Sequence, residues 1–137
     1  MNNKLKKDLC YGKKKEDKLL TPLEEHFNMK LTKTKSFYEF DYINEDEKVL
    51  IELKSRRNTK TQYYDTMVGY NKVLKGFQKI KEGYKVYFCF GFTDYTCCYE
   101  LKEDSNLSIR DGGRTDRGRA EIKKYAYIKT SELINLF

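Results

Sequence analysis

Residues 37–56 read FYEFDYINEDEKVLIELKSR. Two apolar runs flank the polar turn Asn44-Glu45-Asp46-Glu47. Phe37–Ile43 reads as one strand and Lys48–Lys54 as the next, antiparallel because the turn is short. Alternation puts Val49, Ile51 and Leu53 on one face, and Leu50, Glu52 and Lys54 on the other. Asp41 sits in the preceding strand among Tyr38, Phe40, Tyr42 and Ile43. A turn centred near Glu45-Asp46 pairs Asp41 with about Leu50, one diagonal step from Glu52.

Two carboxylates that close repel unless something positive stands between them. A divalent cation does so, and oxygen-only ligands favour Mg²⁺ or Mn²⁺. The backbone carbonyl of Leu53 points at the same edge as a further ligand. Lys54 projects two residues beyond Glu52, where its ammonium reaches a metal-bound water or a phosphate. This is equipment for hydrolysing a phosphodiester: the metal lowers the pKa of a bound water, and Lys54 stabilises the developing charge or helps deprotonate that water. The competing reading is a solvated surface hairpin, which leaves the apolar character of both strands unexplained.

Asp41 followed eleven residues later by Glu52-Leu53-Lys54 resembles the D…ExK core of the PD-(D/E)xK nuclease superfamily. The match covers roughly residues 10–100. Phe40 stands where the name-giving Pro would be, so the motif supports the superfamily more than any subgroup. The resemblance implies a restriction-endonuclease-like α/β domain with core order αβββαβ, of which only two strands are legible before the second helix. It also implies an accessory metal ligand on the preceding helix. Glu16 in GKKKEDKLL is the candidate, with Glu24 and Glu25 behind it. Gln62, Tyr63 and Tyr64, read as opening the next helix, would orient DNA.

Outward from the hairpin, Leu19, Leu20, Leu23 and Phe27 give a helical pattern over Cys10–Asn28. Thr21-Pro22-Leu23-Glu24 has capping-box spacing, so two short helices or one kinked helix both fit. Residues 1–9 read as a frayed basic start. Met67, Tyr70, Leu74 and Phe77 form a stripe predicting a helix over Tyr63–Lys81, stopped at Glu82-Gly83. Tyr84–Phe92 is continuously apolar, as in a buried central strand. Tyr95–Leu101 and Lys124–Lys129 read as strands, Ser105–Arg119 as a loop, and Ser131–Phe137 as a helical turn or two. The expected architecture is a single α/β domain over residues 1–137, one mixed central sheet flanked by helices.

The chain has 137 residues, with 28 Lys plus Arg against 21 Asp plus Glu and a formal net charge of +7. That balance favours a polyanionic partner, DNA first. Ser55, Arg56, Arg57, Asn58 and Lys60 follow the motif and are candidate phosphate contacts, or a solvated charge run. Lys72 lies off the apolar stripe of its helix, facing either the site or solvent. Arg110, Arg114, Arg117 and Arg119 punctuate a Gly-rich segment that reads as a flap over nucleic acid or as a hairpin with internal Arg–Asp pairs. His26 reads as surface or packing.

Cys10, Cys89, Cys97 and Cys98 match no zinc spacing, and adjacent Cys97 and Cys98 point to opposite strand faces. Free thiols, no apolar leader and no membrane-length run point to an intracellular protein with no membrane partner. Lys- and Asn-rich usage suggests an AT-rich genome, viral, phage or parasitic. A homodimer is compatible with cutting both strands. Two rivals stand beside the nuclease: a catalytically inactive nucleic-acid-binding protein on the same fold, and a basic module meeting an acidic protein.

Overall fold

The structure is a computed structural model that describes residues 3–35, 38–112 and 123–137; within the first helix, side chains are described at Lys6 and from Lys14 onward. Helix α1 (Asn3–Phe27) is followed by the short strand β1 (Thr32–Lys33), then β2 (Tyr42–Asn44), β3 (Val49–Ser55) and β4 (Asp65–Gly69). Helix α2 (Tyr70–Lys81) leads to β5 (Lys85–Gly91) and β6 (Thr96–Leu101). Strands β7 (Ser108–Gly112) and β8 (Lys123–Lys129), a 3₁₀ turn (Thr130–Glu132) and β9 (Ile134–Asn135) complete the order.

The main sheet is mixed, with order β1-β2-β3-β5-β6-β9. β2 and β3 form the expected antiparallel hairpin, with Lys48 in the left-handed region (φ 53°) as the turn closes. β3 and β5 are parallel, which requires the crossover through α2. Gly83, at φ 97°, ends that helix where a side chain would be strained.

The alternation read from the sequence is realised on two packed faces. Val49, Ile51 and Leu53 join Cys89 and Cys98 under α1, where Leu23 is fully buried. Leu50 joins Val86, Phe88 and Phe90 on the opposite face, beneath Val73 of α2. β5 is therefore covered on both sides, which is why its sequence is continuously apolar. Cys97 and Cys98 do divide between the two faces. Cys89, Cys97 and Cys98 are buried free thiols.

A second, three-stranded sheet, β4-β8-β7, packs on the α2 side. It accounts for most differences from expectation. Residues 65–69 form a strand, so the helix begins at Tyr70 rather than Tyr63. Met67 and Tyr70 fall on a helical stripe by coincidence, while Thr66 and Val68 are buried and alternate at period two with half-buried neighbours. Residues 108–112, expected as loop, pair with β8. With β4 in place, α1, β2, β3, β4, α2 and β5 run in the order αβββαβ.

Three boundaries also move. Helix α1 starts at Asn3 and runs continuously through Pro22, with its apolar stripe on the sheet. The C-terminal segment makes one 3₁₀ turn and then pairs with β6 through Ile134 and Asn135, instead of forming a helix. The first strand shortens to Tyr42–Asn44, because Phe40 turns into the core and the chain bends before Asp41.

Candidate active site

The site lies where β2 stops and β3 continues. The observed register pairs Tyr42 with Ile51 and Ile43 with Leu50. Extended by one step, it sets Asp41 opposite Glu52, closer than the diagonal relation expected from a turn centred at Glu45-Asp46. Past Tyr42 the backbone leaves the ladder, and the Asp41 side chain takes over. Its Oδ2 accepts the Leu53 N–H at 2.7 Å. The Asp41 N–H donates to Ile51 O at 3.0 Å, and its carbonyl accepts from Thr34 N–H at 2.9 Å and Thr34 Oγ1 at 3.1 Å. One carboxylate oxygen and the whole peptide are thus fixed. Because Leu53 turns its N–H toward Asp41, its carbonyl lies along the same edge of the strand.

Glu52 is the buried charge of the site, with its side chain 3% exposed. Oε2 stands 3.4 Å from Lys54 Nζ and 3.8 Å from Lys72 Nζ. Oε1 is the one buried side-chain N or O among the described residues that lacks a hydrogen-bond partner. Burial pushes the Glu52 carboxyl up to about 7, Lys54 and Lys72 pull it down, and the Asp41 charge raises it. A hydrogen bond to Asp41 also raises it. Two ionised carboxylates offer each other no donor, and Oε1 is left without a hydrogen-bond partner.

Glu16 joins them from α1. Burial pushes its carboxyl up to about 7, and Asp41 adds repulsion that Lys54 and Lys33 partly offset. The helix is held at this height by its neighbour. Lys15 Nζ donates to the carbonyls of Gly91, Phe92 (2.9 Å) and Arg56 (3.3 Å), at the ends of β3 and β5. Close approach depends on Gly91, since a Cβ there would lie 2.8 Å from Leu19 Cδ1 and 3.1 Å from Lys15 Cε. Tyr42 lies beneath, its phenol pushed up to about 12 by burial and by the negative charge of Glu16 and Asp41.

Among the described residues no group of three or more His, Cys, Asp or Glu side chains is assembled into a metal cage. The donor set still fits a hard cation of the Mg²⁺ type. Such an ion is held by one or two carboxylates and keeps several waters, rather than needing an all-protein shell. Asp41, Glu52 and the Leu53 carbonyl offer oxygens only, and the orphaned Oε1 is a buried acceptor still wanting a positive partner.

The structure brings Asp41, Glu52, Lys54 and Lys72 together, sets Glu16 within electrostatic reach of Asp41 and Lys54, and takes other candidates elsewhere. Lys72, ambiguous in the sequence, faces the site and also donates to Glu39 O. Ser55 ends β3 beside Lys54, and Arg57 is exposed just beyond. The Arg56 guanidinium turns inward, bonding Thr66 Oγ1 (3.2 Å) and Met67 O (2.7 Å) above the Phe90 ring. Lys60 bonds Asn135 Oδ1 at 2.7 Å. Gln62, Tyr63 and Tyr64 are exposed in the loop before β4, not on a helix. Arg110 pairs with Asp65 at 2.6 Å, while Arg114, Arg117 and Arg119 lie outside the described residues. His26 is exposed and packs edge-on against Phe27.

Sequence reasoning missed Lys15, Thr34 and Gly91. Lys15 sits in a KKKED run that reads as solvated charge, and its carbonyl partners are 41, 76 and 77 residues away. No local signal marks it.

A family model described as "Phage putative PDDEXK endonuclease" matches residues 10–136. No curated protein and no solved structure matches the chain.

Proposed function

The chain belongs to this phage PDDEXK endonuclease family, and from that premise we propose that it is a Mg²⁺-dependent nuclease that hydrolyses phosphodiester bonds in DNA. The supporting observation is the buried Glu52 carboxylate beside Asp41, with an orphaned oxygen and two ammonium groups within 4 Å. A fold that only needed stability would not keep that arrangement, since burying a carboxyl against a second one is unfavourable.

PDDEXK nucleases generally use divalent metal ions, and here Asp41, Glu52 and the Leu53 carbonyl would hold one, with Glu16 reaching in from α1. When bound, such an ion supplies Lewis acidity and a water of lowered pKa. The chain's own groups do the rest. Asp41 keeps one oxygen on Leu53 N–H, so its remaining lone pairs are aimed rather than free to rotate. Lys54, at 44% exposure, occupies the mouth of the site, where it neutralises a phosphate oxygen as charge develops. Lys72 approaches from α2 and is held by Glu39 O. Its ammonium lies 3.8 Å from Glu52 Oε2. Burial and the Asp41 charge raise the Glu16 carboxyl to about 7 without an ion, so a bound cation would favour its ionised form.

The test is supercoiled plasmid incubated with Mg²⁺ or with EDTA. Nicked or linear product only with Mg²⁺, lost in Glu52→Ala and Lys54→Ala proteins of unchanged circular dichroism, is the expected result. Cleavage at the normal rate by those variants would sink the assignment.

A further inference from the structure

The second sheet presents an outward face that the reading above does not use. Along β8, alternation puts Lys123, Tyr125, Tyr127 and Lys129 on the side opposite Ala126 and Ile128, which are in the core. The register sets Arg110 of β7 beside Tyr125 and Asp65 of β4 beside Lys129. The Arg110 guanidinium lies 3.7 Å from the Tyr127 ring centroid and is clamped by Asp65 at 2.6 Å. Tyr64, 70% exposed, stands near Lys129, whose Nζ is 5.9 Å from its ring. Tyr64, Arg110, Tyr127 and Lys129 all line one open groove of about 570 Å³.

The groove offers two flat surfaces and the Lys129 cation, with two carboxylates also in its lining, Asp65 (paired to Arg110) and Glu132. One surface is the Tyr64 ring. The other is the guanidinium lying over the Tyr127 ring and paired with Asp65. A Tyr ring this exposed presents an amphipathic flat face on which another flat surface can stack. Unstacked nucleobases present such a surface, and stack on aromatic rings and Arg planes alike. In a duplex the bases are already stacked on one another, so apart from its two end pairs no base has a free face to offer here. Lys129 is then placed for the adjoining phosphate. The groove is also tied to the candidate active site: Arg56, four residues beyond Glu52, bonds β4 at Met67, two residues from Asp65. Counting strand residues, the two sites lie within roughly 20 Å.

We infer that this groove holds a base and phosphate of an unpaired DNA strand, so that the preferred substrate carries a single-stranded segment next to the bond that is cut. The inference rests on the nuclease reading for its second half only. Binding is measured by fluorescence anisotropy in EDTA, using a labelled 15-nucleotide poly-dT strand and a blunt duplex of equal length. The strand is expected to bind more tightly. Tyr64→Ala is expected to weaken strand binding by about 5- to 100-fold. Tyr64→Phe keeps the ring and should keep the affinity, and Lys129→Ala should lower the salt dependence by about one phosphate.

Equal strand affinity in wild type and Tyr64→Ala would overturn the inference, as would a duplex bound as tightly as the strand with the same sensitivity to these variants. A parallel assay compares cutting of splayed-arm and blunt duplexes in Mg²⁺. Strand binding that follows Tyr64 without any cutting supports the groove and defeats the nuclease reading. Cutting that ignores Tyr64 on both substrates does the reverse.

Discussion

Val49, Leu50 and Ile51 occupy the first half of β3, each at most 4% exposed, with their side chains divided between the two apolar cores. One strand position further on, Glu52 is equally buried, yet it carries a carboxyl, an orphaned oxygen and two lysines at its side. The backbone is one continuous strand paired to β5 throughout. What changes is the other edge. As far as Ile51 the strand has β2 beside it; beyond that point the neighbour is the Asp41 side chain. The first half is arranged for packing, and the second trades packing for a pair of acids held where they repel.

The contrast can be broken most severely by removing the acid. Glu52→Ala should reduce cleavage by about a thousandfold or more, the scale of losing a principal electrostatic contact in a transition state, with the folded fraction unchanged by circular dichroism. Ile51→Ala should do the opposite. It leaves a cavity under α1 and should cost roughly 2–5 kcal/mol in urea unfolding, with turnover per folded molecule retained.

Glu52→Gln sharpens the comparison, because it keeps the shape and removes the charge. The Glu52 carboxyl titrates near 7 in the folded protein against an ordinary 4.5. The folded state therefore holds a proton that the unfolded chain has released, and stability falls as pH rises from about 4.5 to about 7. Above 7 the penalty is complete, on the order of 3 kcal/mol. Wild type and Glu52→Gln should melt together near pH 4 and diverge by pH 8, with the inactive variant more stable. Coincident melting curves at pH 8 would show that Glu52 is not strained. Adding Mg²⁺ at pH 8 should raise the wild-type melting temperature and leave Glu52→Gln nearly unmoved.

The smallest expected effect comes from a distance. Gly91→Ala would press on Leu19 and Lys15 and lift α1 from the strand ends. Since Glu16 is next to Lys15, cleavage should drop by about tenfold, a partial loss from misplacing one group. Full activity in Gly91→Ala would place Glu16 outside the working site.

The motif was readable because it is local. Asp41, Glu52 and Lys54 lie on two strands joined by a short turn, and period-two alternation alone puts Glu52 and Lys54 on one face. The family resemblance then located Glu16. The fold class followed from the same alternation and from the continuously apolar β5. The second sheet was not legible, because β4 hides inside a pattern that also fits a helix and β7 inside a Gly- and Arg-rich segment. Both pair with β8, which lies far along the chain from β4 and just beyond the Gly- and Arg-rich segment from β7. Lys15 and Lys72 were obscured for a related reason: their partners are set by tertiary structure, and in sequence they are two of many lysines.

The Lys15 anchor carries a practical consequence. Its hydrogen bonds to neutral peptide oxygens at the tips of two strands are short-range contacts that added electrolyte screens far less than those between a basic surface and a polyanion, although salt does weaken the further pull of the Asp94 charge. Raising ionic strength should strip nucleic acid from the protein long before it loosens the helix that carries Glu16. Purification in concentrated salt would then yield a protein free of cellular DNA whose catalytic corner is already assembled, ready to work on dilution.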